Sequence, residues 1–380
     1  MKKTGFIIAA SLLILFFASC EMRQGAVPVH HELTPVSLVA PAEAGSYAFY
    51  VWESRTFELP VSGATGWAGI NLPLFNAASQ SAQIITTLAA GQAFTILQGT
   101  EQWWYIDVNN VTGWVMNSLC LINLPDVLPS IIYRNPNNDF SLFRSSGRDI
   151  PNVTGLALTQ ARDFNVRLGR EEDIAAALYP MARKIGAAQQ AALADGRTLI
   201  IYEAFRPHDL QETIYENLRY LYETDAVVRA GISTPPWNIR WFLARSPYNH
   251  QRGTAVDASL ARIDRYEVRV TGDYAFVHIS GFTEYPMQTA MHELSIAAVV
   301  FRVPVNARSP ISWEGADFVD AATFGTRWLH QYLTAAGLSP LASEWWHFND
   351  LIHTDLATEA GITGDFLTDR TFSRPPRTVR

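Results

Sequence analysis

Cysteine is scarce, with Cys20 and Cys120 the only two in 380 residues, so no disulfide framework holds the fold together. Positive charge is short as well. Lys and Arg number 29 against 36 Asp and Glu, a formal net charge of −7, which leaves no broad basic field to hold a phosphate polymer and speaks against nucleic acid as a partner. Long apolar runs are missing except for residues 5–17, too short to span a bilayer comfortably. No internal repeat is evident. What remains is ordinary globular composition, 48% hydrophobic and 17% charged, enough chain for one domain of good size and a smaller one. Eleven Trp, fourteen Tyr and twenty Phe suit pockets and grooves as well as cores.

The first twenty residues carry an address. Lys2 and Lys3 precede the apolar run, and Ala18, Ser19 and Cys20 follow it, in the order of a charged region, a hydrophobic region and a small-residue cleavage site. A Cys directly after small residues resembles the bacterial lipoprotein signal, with Phe17 where Leu is usual; the resemblance implies that Cys20 is acylated and becomes the mature N-terminus. The expected location is the bacterial cell envelope, facing the periplasm or exterior, with the membrane as a partner through the lipid. Cys120 is then left without a partner and is expected to be a small buried hydrophobe.

Composition divides the rest. Residues 1–20 read as the signal peptide and 21–45, without a clear period, as a tether. Residues 46–125 hold short β-branched and aromatic runs at 93–97, 103–108 and 113–116, separated by Gly and Asn turns, an all-β spacing. The order of Asn71-Leu-Pro-Leu, the run 83–91 ending in Gly91, Trp104-Tyr-Ile-Asp-Val108 and Thr112-Gly-Trp-Val115 resembles a bacterial SH3-like domain, which implies a small barrel and peptidoglycan as a binding partner. A barrel that only props the catalytic unit is the other reading. Pro125, Pro129 and Asn135-Pro-Asn-Asn-Asp139 mark a linker over 126–145. The second unit, 146–365, mixes helices expected over 171–193 (with Pro180 beginning a new segment or a kink), 209–222 and 325–336 with strands over 198–202, 266–270 and 275–279, and so predicts an α+β domain. Residues 366–380, rich in Arg with Pro375 and Pro376, are expected to be disordered.

Three pieces of the second unit carry chemistry: the run from Ser246 to Asp257 containing His250 and Gly253, Glu344-Trp-Trp-His347-Phe348, and Phe205-Arg206-Pro207. A catalytic zinc needs three N or O ligands and one open position, which His250, Asp257 and His347 can supply. Gly253 lets the chain turn between the first two ligands, and the alternation through Ala255, Val256, Asp257 and Ala258 sets the carboxylate on a strand. Glu344, three residues before His347, is placed to accept a proton from a water at the open position. Arg206, at a strand end before Pro207, can stabilise an oxyanion. Taken singly, each piece is as well explained by a structural hydrogen bond or by aromatic core; their conjunction in one domain is what points to a site.

That conjunction resembles the D-alanyl-D-alanine dipeptidase family of zinc DD-peptidases. Arg206-Pro207, His250-x-x-Gly-x-Ala-x-Asp257 and Glu344-Trp-Trp-His-Phe348 carry the resemblance, over roughly residues 150–355. It implies His250, Asp257 and His347 as zinc ligands, Glu344 as base and Arg206 as transition-state stabiliser. The family's Ser two residues before the first His is Tyr248 here, and its substrate-holding Asp segment is matched nearest by the run ending in His292 and Glu293, which become the candidate substrate-binding residues. The expected reaction is hydrolysis of a cell-wall dipeptide such as D-Ala-D-Ala. The alternatives are a stem-peptide carboxypeptidase or endopeptidase, and a non-catalytic wall-binding lipoprotein.

Overall fold

The computed structural model describes residues 48–49, 56–242, 245 and 248–377; the signal peptide with Cys20, the whole tether and Ser246 lie outside them. Turn residues set the short strands of the barrel. Trp103–Val108 and Val111–Met116 are joined by Asn109 and Asn110, both at positive φ (52° and 65°), the two-residue hairpin geometry that asparagine tolerates best after glycine. Side chains alternate across each strand, so Trp104, Ile106, Val108 and Val115 all point into the core. Cys120 is buried there, as expected, with burial pushing its thiol far up and its Sγ facing the Met116 carbonyl.

The barrel is not a separable bead. Its eight-stranded sheet runs Ala176–Leu178, Cys120–Asn123, Thr65–Ala68, Ala93–Gly99, Trp103–Val108, Val111–Met116, Leu72–Phe75, Ile84–Leu88, and the first of these comes from the second unit, with Leu178 opposite Leu121. The stretch read as a linker is packed for the same reason: Leu124, Val127 and Leu128 are fully buried, and Pro125 sits in the first turn of a short helix, Leu124–Val127, where a missing N–H costs nothing. Of the helical stretch expected over 171–193, with a break or kink at Pro180, the part before Pro180 is two strands, Arg170–Asp173 and Ala176–Leu178, and helix Tyr179–Ala194 follows. Pro180 lies in that helix's first turn, and each strand finds a ladder partner that local periodicity cannot reveal.

The second unit is α+β. Its centre strand, Ala255–Thr271, pairs antiparallel with Arg197–Glu203 on one side; on the other, Tyr274–Glu284 covers its later part and His347–Asn349 covers residues 255–257. Helix Tyr179–Ala194 lays Met181, Ile185, Ala188 and Ala192 into the core at spacings of three and four, and helices His208–Thr224 and Phe324–Ala335 stand where the sequence predicts them. Residues 366–377, expected to be disordered, are ordered instead. Phe372 exchanges hydrogen bonds with the hydroxyls of Thr65 and Thr95, and the Arg374 N–H donates to the Gly63 carbonyl. Gly63 has φ of +82°, and a Cβ there would come within 2.4 Å of the Arg374 carbonyl oxygen, so glycine is what admits the segment.

Candidate active site

Strand register assembles the site. Asp257 lies directly opposite His347 on one side and opposite Glu203 on the other, so residues from three neighbouring strands form one row across the sheet. Because side chains alternate along a strand, Val256 and Ala258 go into the core. His250 reaches the same point from the preceding loop. That loop turns at Gly253, φ +66°, where a Cβ would sit 2.8 Å from the Leu178 backbone nitrogen, and the His250 carbonyl accepts from the Gly253 N–H.

Three ligand atoms converge. His250 Nε2 is 3.1 Å from His347 Nδ1, and Asp257 Oδ1 is 3.2 Å from the first and 3.0 Å from the second. All three residues are buried and could hold a metal ion. The far nitrogen of each ring shows why. His250 Nδ1 lies 2.6 Å from the Ala204 carbonyl and His347 Nε2 lies 2.9 Å from Asn349 Oδ1, so each outer nitrogen has an acceptor for its proton, and each inner nitrogen, once deprotonated, turns its lone pair to the same point. Two such lone pairs and a carboxylate oxygen at these separations can hold a cation among them. The spacing suits zinc, whose bonds of about 2.0–2.1 Å to N and O ligands give a tetrahedral edge of about 3.3 Å.

The charges around this point are arranged in the same sense. Burial holds the His250 imidazole below its ordinary pKa, against the charge and hydrogen bond of Asp257. Burial would also raise Asp257, but the His250 imidazole and hydrogen bonds from His250, His292 and His347 outweigh it and keep the carboxyl well below the usual range. For His347 burial opposes the charge, while its hydrogen bond to Asp257 and the charges of Asp257 and Glu344 raise it overall. Glu344 Oε2 stands 3.7 Å from His347 Nδ1. Burial, reinforced by the charge of Asp257 and opposed by His347 and Arg206, pushes its carboxyl up to about 7.

Arg206 is buried, and Glu203 fixes it through Nε and Nη2. Nη1 donates to Gln211 Oε1 at 2.7 Å, and Nη2 reaches Asp257 Oδ2 at 3.1 Å. Four of its five N–H groups are thereby engaged, leaving one on Nη1. His292 and Glu293 do not face the same space. His292 Nε2 lies 3.2 Å from Asp257 Oδ2, and the Glu293 carboxylate accepts from the backbone N–H groups of Ser146 and Gly147. The slot over the ligand atoms has a volume of about 50 Å³; Phe143, Arg240, Tyr248 and Trp346 are among the residues that wall it. A roomier cleft of about 620 Å³ opens beside Phe205 and Pro207, but it contains none of the three convergent ligands, so the chemistry belongs to the slot.

Glu203, Gln211, Asn349, Phe143 and Arg240 are site residues that motif reading does not supply. Glu203 and Asn349 had a signal: Glu203 ends the strand three residues before Arg206, and Asn349 lies two residues after His347 on the same strand. Phe143 and Arg240 had none, since only the fold brings them to the slot.

A buried site of two imidazoles and an aspartate, overhung by a glutamate and an arginine at the end of a β-strand, defines a metallohydrolase. Residues 167–359, just over half of the chain, match the D-ala-D-ala dipeptidase family, and residues 70–119 match the bacterial SH3 domain. The chain belongs to the D-ala-D-ala dipeptidase family, metallopeptidases of the cell wall that are in general zinc-dependent, and carries a bacterial SH3 domain ahead of the catalytic unit. No match to the chain was found among curated proteins.

Proposed function

We propose that the protein hydrolyses a D-amino-acid-containing cell-wall dipeptide such as D-Ala-D-Ala, with zinc held by His250, Asp257 and His347. The observation that carries this reading is the convergence of three lone-pair ligands within 3.0–3.2 Å, each imidazole turned to the centre by an acceptor behind it. Zinc, when bound, supplies Lewis acidity that acidifies water and polarises the scissile carbonyl. Glu344 takes the proton from the attacking water as its oxygen adds to the carbonyl carbon, then delivers it to the leaving amine as the C–N bond breaks; a carboxyl near neutrality suits both transfers. Arg206, oriented by Glu203 and Gln211, offers its remaining Nη1 N–H to the oxyanion.

Glu344→Gln is expected to keep its zinc and lose turnover by about 10²–10⁴-fold. Hydrolysis of D-Ala-D-Ala together with metal analysis checks this, and turnover at the wild-type rate would remove Glu344 from the mechanism. A second reading, cleavage of longer stem peptides, is favoured by one observation. His292 has no carboxylate and is engaged with Asp257, and the Glu293 carboxylate is taken up by the 146–147 backbone, so neither is placed to hold the free amino group of a dipeptide. Comparing D-Ala-D-Ala with an N-acylated stem peptide separates the two.

The SH3 domain supports wall binding as a further part of the proposal. Among the described residues no helix is long and apolar enough to cross a membrane. Membrane attachment therefore rests on the Ala18-Ser19-Cys20 signal and on acylation of Cys20. Cys20→Ser should move the protein from the membrane to the soluble fraction, and retention there would end the anchor proposal.

A further inference from the structure

His292 is wholly buried and sits at φ 61°, a backbone conformation that costs a residue other than glycine free energy. Its contacts show what that conformation holds in place. The ring lies flat on Phe143, centroids 4.0 Å apart and planes within 3°. Phe143 also carries the Arg206 guanidinium 5.0 Å from its ring centroid. Backbone hydrogen bonds from Arg144 N to the His292 carbonyl (3.2 Å) and from Leu294 N to the Arg144 carbonyl (2.8 Å) zip the two segments together. His292 Nε2 and Arg206 Nη2 then meet on one atom, Asp257 Oδ2, at 3.2 and 3.1 Å, while Oδ1 faces the two imidazoles. His292 Nδ1 is buried with no hydrogen-bond partner, so the ring proton belongs on Nε2, where Asp257 accepts it.

Glu203, Asp257 and His292 could by themselves hold an ion. The Arg206 guanidinium already stands among them, bonded to both carboxylates, and supplies the positive charge that such a cluster needs. A second metal is therefore not required, and His292 is left with a different task.

We propose that His292 is a positioning residue: its Nε2–H holds Asp257 Oδ2 away from the metal, so that Asp257 presents Oδ1 alone, and Phe143, outside the span matched to the dipeptidase family, holds His292 and Arg206 in place. This rests on the reading of His250, Asp257 and His347 as the zinc site. Without this donor Arg206 Nη2 alone holds Oδ2, and the carboxylate is less firmly kept from offering that oxygen to the metal.

Two variants separate donation from packing. His292→Phe keeps a ring to stack on Phe143 but has no N–H, whereas His292→Gln keeps a donor and loses the ring. Zinc dissociation constants, measured by competition with a chromophoric chelator, are read beside the melting temperature of each metal-free protein. His292→Phe should bind zinc about 10–100-fold more weakly with metal-free melting retained, and His292→Gln should restore most of the affinity. Wild-type affinity in folded His292→Phe overturns the proposal, and so does an equal loss in both variants, which would assign the effect to packing. Should neither variant fold, imidazole ¹⁵N shifts of the metal-free wild type decide: a proton on Nε2 of His292 is expected, and one on Nδ1 overturns it. A wild-type chain that takes no zinc removes the parent reading, whereas tight wild-type binding with unaltered His292→Phe removes only this one.

Discussion

A proton and a metal ion compete for one lone pair at His347. With burial outweighed by the Asp257 hydrogen bond and the charges of Asp257 and Glu344, this imidazole holds its proton to higher pH than an ordinary histidine. A ligand must give up that proton to coordinate, so the sign follows directly: zinc affinity is low where His347 is protonated and rises as pH passes upward through its raised pKa. Titrations between pH 6 and 8.5 should show affinity falling toward acid by about tenfold per pH unit below that point. A flat profile would mean that His347 is not a ligand. Burial lowers the His250 pKa, so its share of this slope falls at lower pH than that of His347. At this scale the residues that converge were legible, because two histidines, an aspartate, a glutamate and an arginine stand in a specific order along the chain. The groups that orient them were not. Asn349, Glu203 and His292 act through contacts fixed by strand register, and a residue's type says nothing of what lies opposite it. The position of His292 suggested a substrate contact, and its actual partner is Asp257 Oδ2.

Elements were legible where period and length agreed. The helix over 209–222 and the strands over 198–202, 266–270 and 275–279 lie within observed elements, and the helix over 325–336 overruns its element by one residue, because each shows its own amphipathic or buried pattern. Residues 171–178 failed that test. Their apolar spacing suits a helix, but Arg170–Asp173 finds Arg162–Asn165 and Ala176–Leu178 finds the barrel strand Cys120–Asn123, pairings that exist only in three dimensions. The terminal segment is the clearest case. Arg and Pro in the last thirteen residues imply disorder, yet 371–376 is held by Gly63, Thr65 and Thr95 of the barrel and by Asp273 N–H donating to the Pro376 carbonyl. Ending the chain after residue 370 removes these hydrogen bonds, each of a net of about 1 kcal/mol. The expected outcome is a melting temperature lowered by several degrees with zinc binding intact, since the segment touches none of the ligands. An unchanged melting curve would show that the segment contributes nothing to stability.

On the scale of the whole molecule, the barrel and the peptidase are one folded body, because they share a sheet and because the stretch between them is core. That stretch also delivers Phe143 to the slot, so the catalytic unit begins well before the span that its family match covers. The SH3 domain is thereby held at a fixed place on the enzyme, and a wall strand bound to it would be presented to the slot in a set orientation. All of this depends on one divalent ion at the meeting point of His250, Asp257 and His347. Calorimetric titration of zinc into the metal-free protein, wild type beside His347→Ala, tests that most directly. The account predicts one zinc per wild-type chain and the loss of that tight site in the variant; binding of equal stoichiometry and affinity in both, or no tight binding in the wild type, would contradict it.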